Sequence, residues 1–517
     1  MTFEIVFVLL SLLGMVAALI ADKMRPGMIL FSVVVLFLCA GILTPKEMLE
    51  GFSNKGMITV ALLFLVSEGI RQSGTLGQVI KKLLPQGKTT VFKAQLRILP
   101  SVAFISAFLN NTPVVVIFAP IIKHWAKSVN LPATKFLIPL SYVTILGGIC
   151  TLIGTSTNLV VHGMILEAGF EGFSMFELGK VGIFIAIAGI IYIFLFSKRL
   201  LPDARPDTAV PDEEVEEGEK LHRVEAVLGA RFPGINKKLS DFNFQRHYGA
   251  EVKEIKTRNG QRYVDHLEDV VLREGDTLVV MADDTFIPTW GESSVFVLLT
   301  NGNDPDTSGK KKRWLALILL VLMIVGATVG ELPATKEMFP DIKLDMFFFV
   351  CITTIIMAWT NIFPARKYTK YISWDILITI ACAFAISKAM VNSGVADCVA
   401  GFIIGLSDDY GPHVLLAILF VITNLFTELI TNNAAAALAF PLALSISAQL
   451  GVSPTPFFVV ICMAASASFS TPIGYQTNLI VQGIGNYKFT DFVRIGLPLN
   501  IITFLISVIL IPLIWNF

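Results

Sequence analysis

The sequence has few charged residues and lacks the motifs of the common enzyme classes. Only 15% of its 517 residues are charged, against about 25% in an average soluble protein, whereas 54% are hydrophobic. Its 40 basic and 40 acidic residues cancel, so nothing indicates nucleic acid or another highly charged partner. The six cysteines have no CxxC spacing and give no sign of disulfides or a metal centre. Without a P-loop, HExxH or GxSxG motif, the sequence predicts neither an enzyme nor a bound cofactor.

Long apolar runs take up most of the chain. A helix needs roughly 20 apolar residues to cross the hydrocarbon core of a bilayer. Runs that reach or approach this length are Phe3–Ala21, Gly27–Leu43, Val181–Phe196 and Trp314–Val329. In the first of them the basic residues follow the apolar stretch, whereas a signal peptide has them before it. The sequence therefore predicts a multi-pass protein of the cytoplasmic (inner) membrane that retains its first helix.

Residues 200–313 differ in kind from the rest. Three prolines and the acidic run DEEVEEGE (212–219) indicate a solvated linker. Strand-like segments follow, at Arg223–Leu228, Ala250–Ile255, Thr277–Met281 and Val295–Leu299. We therefore predict a small α+β domain with its core at about 220–300. It separates membrane repeat 1 (1–199) from membrane repeat 2 (314–517).

The two membrane segments share three short stretches at nearly one spacing. SEGIRQSG (67–74) matches SKAMVNSG (387–394), GTSTNLVVHG (154–163) matches GYQTNLIVQG (474–483), and FLNNTPVVVIFAP (108–120) matches LITNNAAAALAFP (429–441). The first two pairs are 320 residues apart and the third is 321 apart. Three ordered matches at one offset indicate a duplicated unit.

Basic residues predict that the two repeats have opposite orientations. The segments on either side of FLNNTPVVVIFAP contain nine lysines and arginines between residues 71 and 135, whereas 391–413 and 442–455 contain none. Cytoplasmic loops carry the excess of basic residues. This bias, with Lys198, Arg199 and the run Lys310–Arg313, predicts a cytoplasmic inserted domain and both termini outside. An inverted repeat is typical of secondary transporters.

The polar residues of the repeated stretches predict two broken helices and two re-entrant hairpins. Non-helical backbone is tolerated at membrane depth only where it lines a protein-enclosed cavity. Glycine permits such a break, and the carbonyls that it frees can bind a hard cation such as sodium. Thr and Asn add neutral oxygens and donors for an oxyanion. Helix packing through the same residues is the alternative for any one of them.

On these motifs the chain resembles the divalent anion:sodium symporter (DASS) family of the ion transporter superfamily. The resemblance rests on NNT (110–112), TNN (431–433) and the two GxxTN breaks, and it spans both repeats. It implies a homodimer with an elevator mechanism, in which a transport domain moves against a fixed scaffold. It also implies two sodium sites, formed by Ser106, Asn110, Asn111 and Gly154, and by Thr427, Ile430, Asn432 and Gly474. The dianion would lie between Asn111, Thr112, Thr155, Asn432, Asn433 and Tyr475.

The chain departs from that family at several positions. Asn110 stands where the family has Ser, and neither break has the family's Pro-rich sequence after glycine. These departures favour a compact inorganic dianion such as sulfate, with a dicarboxylate substrate or proton coupling as alternatives. Second-tier candidates are Asn158 and Asn478 in the breaks and Glu428 beside the second tip, because an intramembrane carboxylate is a functional candidate.

The inserted domain resembles the C-terminal subdomain of RCK (TrkA-C) regulators of potassium transport. The resemblance rests on 230–261 and on LREGDTLVVMAD (272–283). It implies dimerisation and, in some members, a small nucleotide ligand. An RCK-regulated ion channel is the alternative of another class, although no TVGYG-like filter is present. Because all predicted ion and anion residues lie in the repeats, we expect basal transport to survive deletion of the domain.

Overall fold

The computed structural model describes most of the chain. The described residues are 3–21, 24–85, 87–203, 222–229, 232–257, 261–283, 286, 290, 295–300, 310–339, 342–405 and 411–517. The predicted acidic linker at 212–219 therefore lies outside them.

Ten α-helices of the described residues precede the inserted domain and ten follow it. The helices of repeat 1 are Phe3–Ala21, Pro26–Cys39, Pro45–Glu50, Lys55–Gln72, Thr75–Leu83, Val91–Ser106, Asn111–Ser128, Leu137–Gly148, Ser156–Glu167 and Gly179–Leu200. Those of repeat 2 are Lys310–Gly330, Pro333–Met338, Met346–Trp359, Trp374–Asn392, Val395–Gly405, Gly411–Leu429, Asn432–Leu450, Thr455–Ser466, Gln476–Gly485 and Phe489–Ile514. Most of the helices pair off in order, as a duplicated unit predicts.

The packing of the repeats is reciprocal. Pro26–Cys39 of repeat 1 packs against Trp374–Asn392 of repeat 2, and the equivalent helices, Met346–Trp359 and Lys55–Gln72, pack against each other. Such an exchange of partners between equivalent helices is what a duplicated unit predicts. Gly179–Leu200 likewise packs against its own counterpart.

The helices have the length and surface of a membrane protein. Among the described residues, eight helices are long and apolar enough to cross a bilayer. Helix Gly179–Leu200 leaves Ile183, Ile187 and Ile191 exposed at spacings of four residues, which places them on one outward face. A soluble protein would not expose such a stripe on a long apolar helix. The prediction of a multi-pass membrane protein is confirmed.

Lys135, one of the basic residues that predict the orientation, is buried. Lys135 is only 1% exposed, and its Nζ donates to the carbonyls of Lys198 and Leu201 at 2.7 and 2.5 Å. It also pairs with Asp203 at 2.9 Å. These carbonyls end helix Gly179–Leu200 and have no partner within the helix, so a lysine stabilises them.

The inserted domain contains a five-stranded antiparallel sheet. Its strands are β1 (His222–Leu228), β2 (Glu251–Lys256), β3 (Arg262–Tyr263), β4 (Thr277–Ala282) and β5 (Phe296–Thr300), in the order β3-β2-β4-β1-β5. Four of them begin within one residue of the segments that the sequence predicts. Short helix Phe244–Tyr248 packs on the sheet through an aromatic cluster, so the domain has its own core.

Candidate functional site

Two helical hairpins carry the predicted tip residues. Hairpin 1 consists of helices Val91–Ser106 and Asn111–Ser128, and hairpin 2 consists of Gly411–Leu429 and Asn432–Leu450. Each contains a proline in its second helix, Pro120 or Pro441. The turns between the helices are short, so the side chains at the two helix ends lie close together.

The tip of hairpin 1 brings four oxygen-bearing groups around one point. The Ser106 hydroxyl lies 2.8 Å from the Asn111 amide and 2.9 Å from the carbonyl of Thr144. The same end of the Asn111 amide lies 3.2 Å from the carbonyls of Thr144 and Gly154. If its nitrogen points there, it donates to both carbonyls. If its oxygen points there, the group is rich in acceptors, which is the environment of a hard cation.

The tip of hairpin 2 repeats three of these four groups. The Thr427 hydroxyl lies 3.1 Å from Oδ1 of Asn432 and donates to the carbonyl of Ala465 at 2.6 Å. All three residues follow their counterparts Ser106, Asn111 and Thr144 by 321 positions. A serine and a threonine thus supply the same hydroxyl at equivalent places in the two repeats.

Both broken helices are present at the repeated decapeptides. Break 1 (149–155) separates helices Leu137–Gly148 and Ser156–Glu167, and break 2 (467–475) separates Thr455–Ser466 and Gln476–Gly485. Each break contacts the hairpin of its own repeat, at the end of the first helix of that hairpin. Thr151 donates to the carbonyl of Ala107, and Thr471 donates to that of Glu428 at 3.1 Å.

The second-tier asparagines stabilise these breaks. Nδ2 of Asn158 donates to the carbonyl of Thr151 at 2.9 Å, and Nδ2 of Asn478 donates to the carbonyl of Thr471 at 3.1 Å. Both asparagines are fully buried. Because buried carbonyls without partners are costly, these amides satisfy backbone that the missing helix turn leaves free.

Each hairpin tip also contacts the broken helix of the other repeat. Thr112 bonds Gln476 at 3.1 Å, and Oδ1 of Asn433 accepts from Ser156 and Thr157, each at 3.2 Å. Thr112 and Asn433 occupy equivalent positions in the duplicated unit. The predicted anion-binding residues of both repeats are thereby brought to one place.

Tyr475 links the two halves of this place. Tyr475 occupies the position in break 2 that corresponds to the smaller Thr155 in break 1. Its hydroxyl lies 2.5 Å from the Asn111 amide and 3.1 Å from the Thr155 hydroxyl. Asn432 is a further hydrogen-bond partner. Tyr475 is 8% exposed, so its hydroxyl sits among donors and acceptors that are largely shielded from water.

Glu428 has neutral partners in the described structure. Its Oε1 accepts from the backbone N–H of Ser470 at 2.9 Å and from Nδ2 of Asn500 at 2.7 Å. Its Oε2 lies 3.4 Å from the hydroxyl of Ser468. These donors hold the carboxylate against break 2, one residue from Thr427.

The remaining predicted sodium-site residues, Asn110, Ile430 and Gly474, lie in or against the hairpin turns. Asn110 precedes helix Asn111–Ser128 and lines a small cavity with Val60 and Leu63. Ile430 is buried in the turn of hairpin 2. Gly474 packs so closely on the backbone of Thr427 that no larger residue fits.

Sequence reasoning missed several groups at the site. The carbonyls of Thr144 and Ala465 complete the two oxygen clusters, but a carbonyl contribution leaves no side-chain signal. Gln476 and Ser468 could have been found, because both lie in or beside the repeated decapeptide of break 2.

Two helical repeats, two hairpin tips and two broken helices that converge on one polar centre define a membrane carrier. The model of the citrate transporter family (CitMHS) matches residues 16–447 and 338–517. The chain therefore belongs to this family, within the ion transporter superfamily.

Three relatives illustrate the range of that similarity. The chain is 30% identical to the uncharacterized transporter sll0640 of Synechocystis, over 94% of this chain and 93% of the relative. It is 23% identical to the protein named "Probable sodium/sulfate cotransporter 3" of Chlamydomonas reinhardtii, over 93% and 85%. It is 25% identical to the sodium-dependent dicarboxylate transporter SdcS of Staphylococcus saprophyticus, over 28% of each chain.

Proposed function

We propose that this protein is a sodium-coupled symporter of small divalent anions, with sulfate as the favoured substrate. The observation that carries the proposal is the oxygen cluster at hairpin 1, repeated at the equivalent place in hairpin 2. The names of the relatives, a sodium/sulfate cotransporter and a sodium-dependent dicarboxylate transporter, support the same class of function.

The proposed cation sites consist of neutral oxygen groups. The first site has a hydroxyl, an amide and two carbonyls, from Ser106, Asn111, Thr144 and Gly154. The Asn111 amide lies within 3.2 Å of the other three groups. Neutral oxygens on broken helices are the sodium ligands of inverted-repeat carriers. Thr427, Asn432 and Ala465 supply the second site, with Ile430 and Gly474 as its backbone contributors. Among the described residues, no cluster of His, Cys, Asp and Glu offers a transition-metal site.

The proposed anion site takes its hydrogen-bond donors from both repeats. Asn111, Thr112, Thr155, Asn432, Asn433 and Tyr475 supply amide and hydroxyl donors from both repeats to the centre between the tips. Neutral donors bind an oxyanion without the desolvation cost of a buried lysine or arginine. A bound sodium on each side would supply the positive charge. This arrangement couples the two ligands, because each is held by charge that the other brings.

The choice of sulfate rests on size. Tyr475 fills space between the tips that Thr155 leaves open in the other repeat, and its hydroxyl already bonds Asn111. A compact tetrahedral dianion suits such a centre better than a dicarboxylate. A dicarboxylate remains the second candidate because the relative SdcS is named for that substrate.

The mode of transport is carried over from the DASS resemblance. We propose re-entrant hairpins, an elevator movement and a homodimer, in a protein of the cytoplasmic (inner) membrane. The basic residues support a cytoplasmic inserted domain and outside termini. The tips, each facing the other repeat's broken helix, support a site that both membrane faces can reach in turn.

The inserted domain is proposed to be an RCK_C-like regulator. Its antiparallel sheet is compatible with that resemblance. A small nucleotide ligand would find a cavity of about 350 Å³ lined by Tyr263, His266, Arg273 and Asp276. An RCK-regulated channel is the less supported reading, because the repeats meet as two halves of one site and not as a symmetric pore.

Uptake into proteoliposomes tests the proposal. Labelled sulfate and labelled succinate are offered separately, with an inward sodium gradient, with potassium replacing sodium, and with a proton gradient alone. We expect sulfate uptake only with sodium and little succinate uptake. Sulfate uptake driven equally well by protons without sodium would contradict sodium coupling, and succinate in place of sulfate would favour the second candidate.

A further inference from the structure

The inserted domain docks on two elements of the transport site, one from each repeat. One is helix Asn111–Ser128, which begins with the tip residue of hairpin 1. The other is helix Gln476–Gly485, which begins directly after Tyr475. The contacts involve strands β1 and β5 and the turn that leads into β4.

Strand β1 has two occupied faces. Val224, Ala226 and Leu228 point into the core of the inserted domain, as the two-residue period of a strand requires. Val227 points the other way and belongs to the continuous apolar core of the membrane repeats. The sheet therefore shares a core with the membrane helices.

A buried ion pair lies beside Val227. Nζ of Lys123, on helix Asn111–Ser128, is 3.0 Å from Glu225, and Lys256 of the domain is 3.4 Å from the same carboxylate. Burial alone would raise the pKa of Glu225, but the two lysines outweigh it and lower that pKa to about 2. Detaching the domain would separate Lys123 from Glu225 and break one of the two ion pairs of this carboxylate.

Two glycines bring the backbones of the domain and the broken helix together. Gly275 has a φ of +84°, which glycine adopts readily, and a side chain there would come within 2.7 Å of Leu479. A side chain at Gly483 would come within 2.6 Å of the Thr277 hydroxyl. Such close approach, at a glycine of the domain and at a glycine of the helix, indicates that the two surfaces are complementary in shape.

We propose that the inserted domain is a permanent part of the unit that carries the hairpins, clamping hairpin 1 to the broken helix of repeat 2 throughout transport. The domain then fixes the distance between elements that bear Asn111 and Tyr475. This inference rests on the proposed function for its readout. The sequence alone led us to expect that basal transport survives deletion of the domain. A domain that holds the site elements together would instead be required for transport.

A disulfide between the domain and the broken helix tests the proposal. The Cβ of Thr277 lies 4.0 Å from the ideal Cβ position at Gly483, within the range for a disulfide. Thr277→Cys with Gly483→Cys is compared with each single variant, reduced and oxidised, in proteoliposomes. We expect the disulfide to form and the initial rate of sodium-driven sulfate uptake to stay unchanged. Loss of most uptake on oxidation, restored by reduction, would show that the domain must detach and would overturn the proposal.

A second measurement does not depend on uptake. Lys123→Glu and Glu225→Lys should each lower the yield of the disulfide in membranes by about tenfold, and the double charge reversal should restore most of it. A yield unaffected by either single change, or no disulfide in the parent pair, would overturn the docking. These results are distinguishable from failure of the proposed function, in which the unmodified protein itself takes up no sulfate.

Discussion

Hairpin 1 and hairpin 2 present a matching hydroxyl, amide and carbonyl at their tips, but their surroundings differ. Ala107, next to Ser106 in hairpin 1, corresponds to Glu428 in hairpin 2, and Gly148, which packs against the Asn111 amide, corresponds to Ser468. In hairpin 2 an extra hydroxyl and a carboxylate thus lie beside the oxygen cluster. Duplicated units diverge freely where chemistry does not constrain them. The shared set therefore marks the function common to both halves, and the differences mark how the halves became unequal.

The repeats differ in the same way at the breaks and on the hairpin arms. Thr155 in break 1 corresponds to the much larger Tyr475 in break 2. Lys123, which pairs with the inserted domain, corresponds to Leu444 in repeat 2. One asymmetry lies at the proposed anion site, and the other lies where the inserted domain docks. We infer two cation sites of similar design and unequal strength.

The largest expected effect comes from adding charge to either tip. Asn111→Asp and Asn432→Asp keep an oxygen for the cation but place a negative charge beside a dianion. Sulfate affinity should fall on the order of a hundredfold, and sodium affinity much less. Equilibrium binding of labelled sulfate at saturating sodium measures this. Near-normal sulfate affinity in both variants would favour a packing role for these asparagines.

The next effect separates the surroundings of the two tips. A side chain on Gly148 would approach Oδ1 of Asn111 to 2.6 Å, so Gly148→Ala must displace that amide. Overpacking of this kind costs about 1–3 kcal/mol, and the sodium concentration for half-maximal sulfate binding should rise about tenfold. The matched change Ser468→Gly only removes a hydroxyl and should cost severalfold at most. A larger effect from Ser468→Gly than from Gly148→Ala would mean that the second cation site is the more tightly packed of the two.

Much of this arrangement can be predicted from the sequence, and the reason is the duplication. The offset of 320 or 321 residues between matching stretches predicts both tips and both breaks. The sequence could not reveal that the carbonyls of Thr144 and Ala465 join the clusters, because backbone atoms carry no identity. It also could not reveal the docking of Glu225 on Lys123, since pairing across a linker depends on how two separate folds approach.

A smaller effect is expected at Glu428, whose counterpart in hairpin 1 is the uncharged Ala107. Glu428→Gln keeps an acceptor for Ser470 and Asn500 but removes a charge near the second cation site. The sodium affinity of that site should fall by less than tenfold, consistent with an effective interior dielectric constant near 20. Titration with labelled sodium, with Asn111→Ala as background to silence the first site, isolates this effect. No change in that titration would assign Glu428 to packing alone.

The smallest effect concerns pH and the docking of the inserted domain. The pKa of Glu225 is lowered to about 2 from 4.5, so the ion pair stabilises docking fully above pH 4.5 and is lost only as pH falls toward 2. The yield of the Thr277→Cys, Gly483→Cys disulfide, with a pH-independent oxidant, should therefore be the same at pH 8 and pH 5. A sharp fall between these values would show that Glu225 is protonated there and poorly paired.

Binding of labelled sodium to the purified protein tests the central claim most directly. Wild-type protein with saturating sulfate should bind two sodium ions per chain, Asn111→Ala and Asn432→Ala should each remove one, and the double variant should bind none. Each variant must first show an unaltered thermal unfolding profile in the absence of sodium. Wild-type sodium binding in the folded double variant would contradict the account, because the cations would then lie away from the hairpin tips.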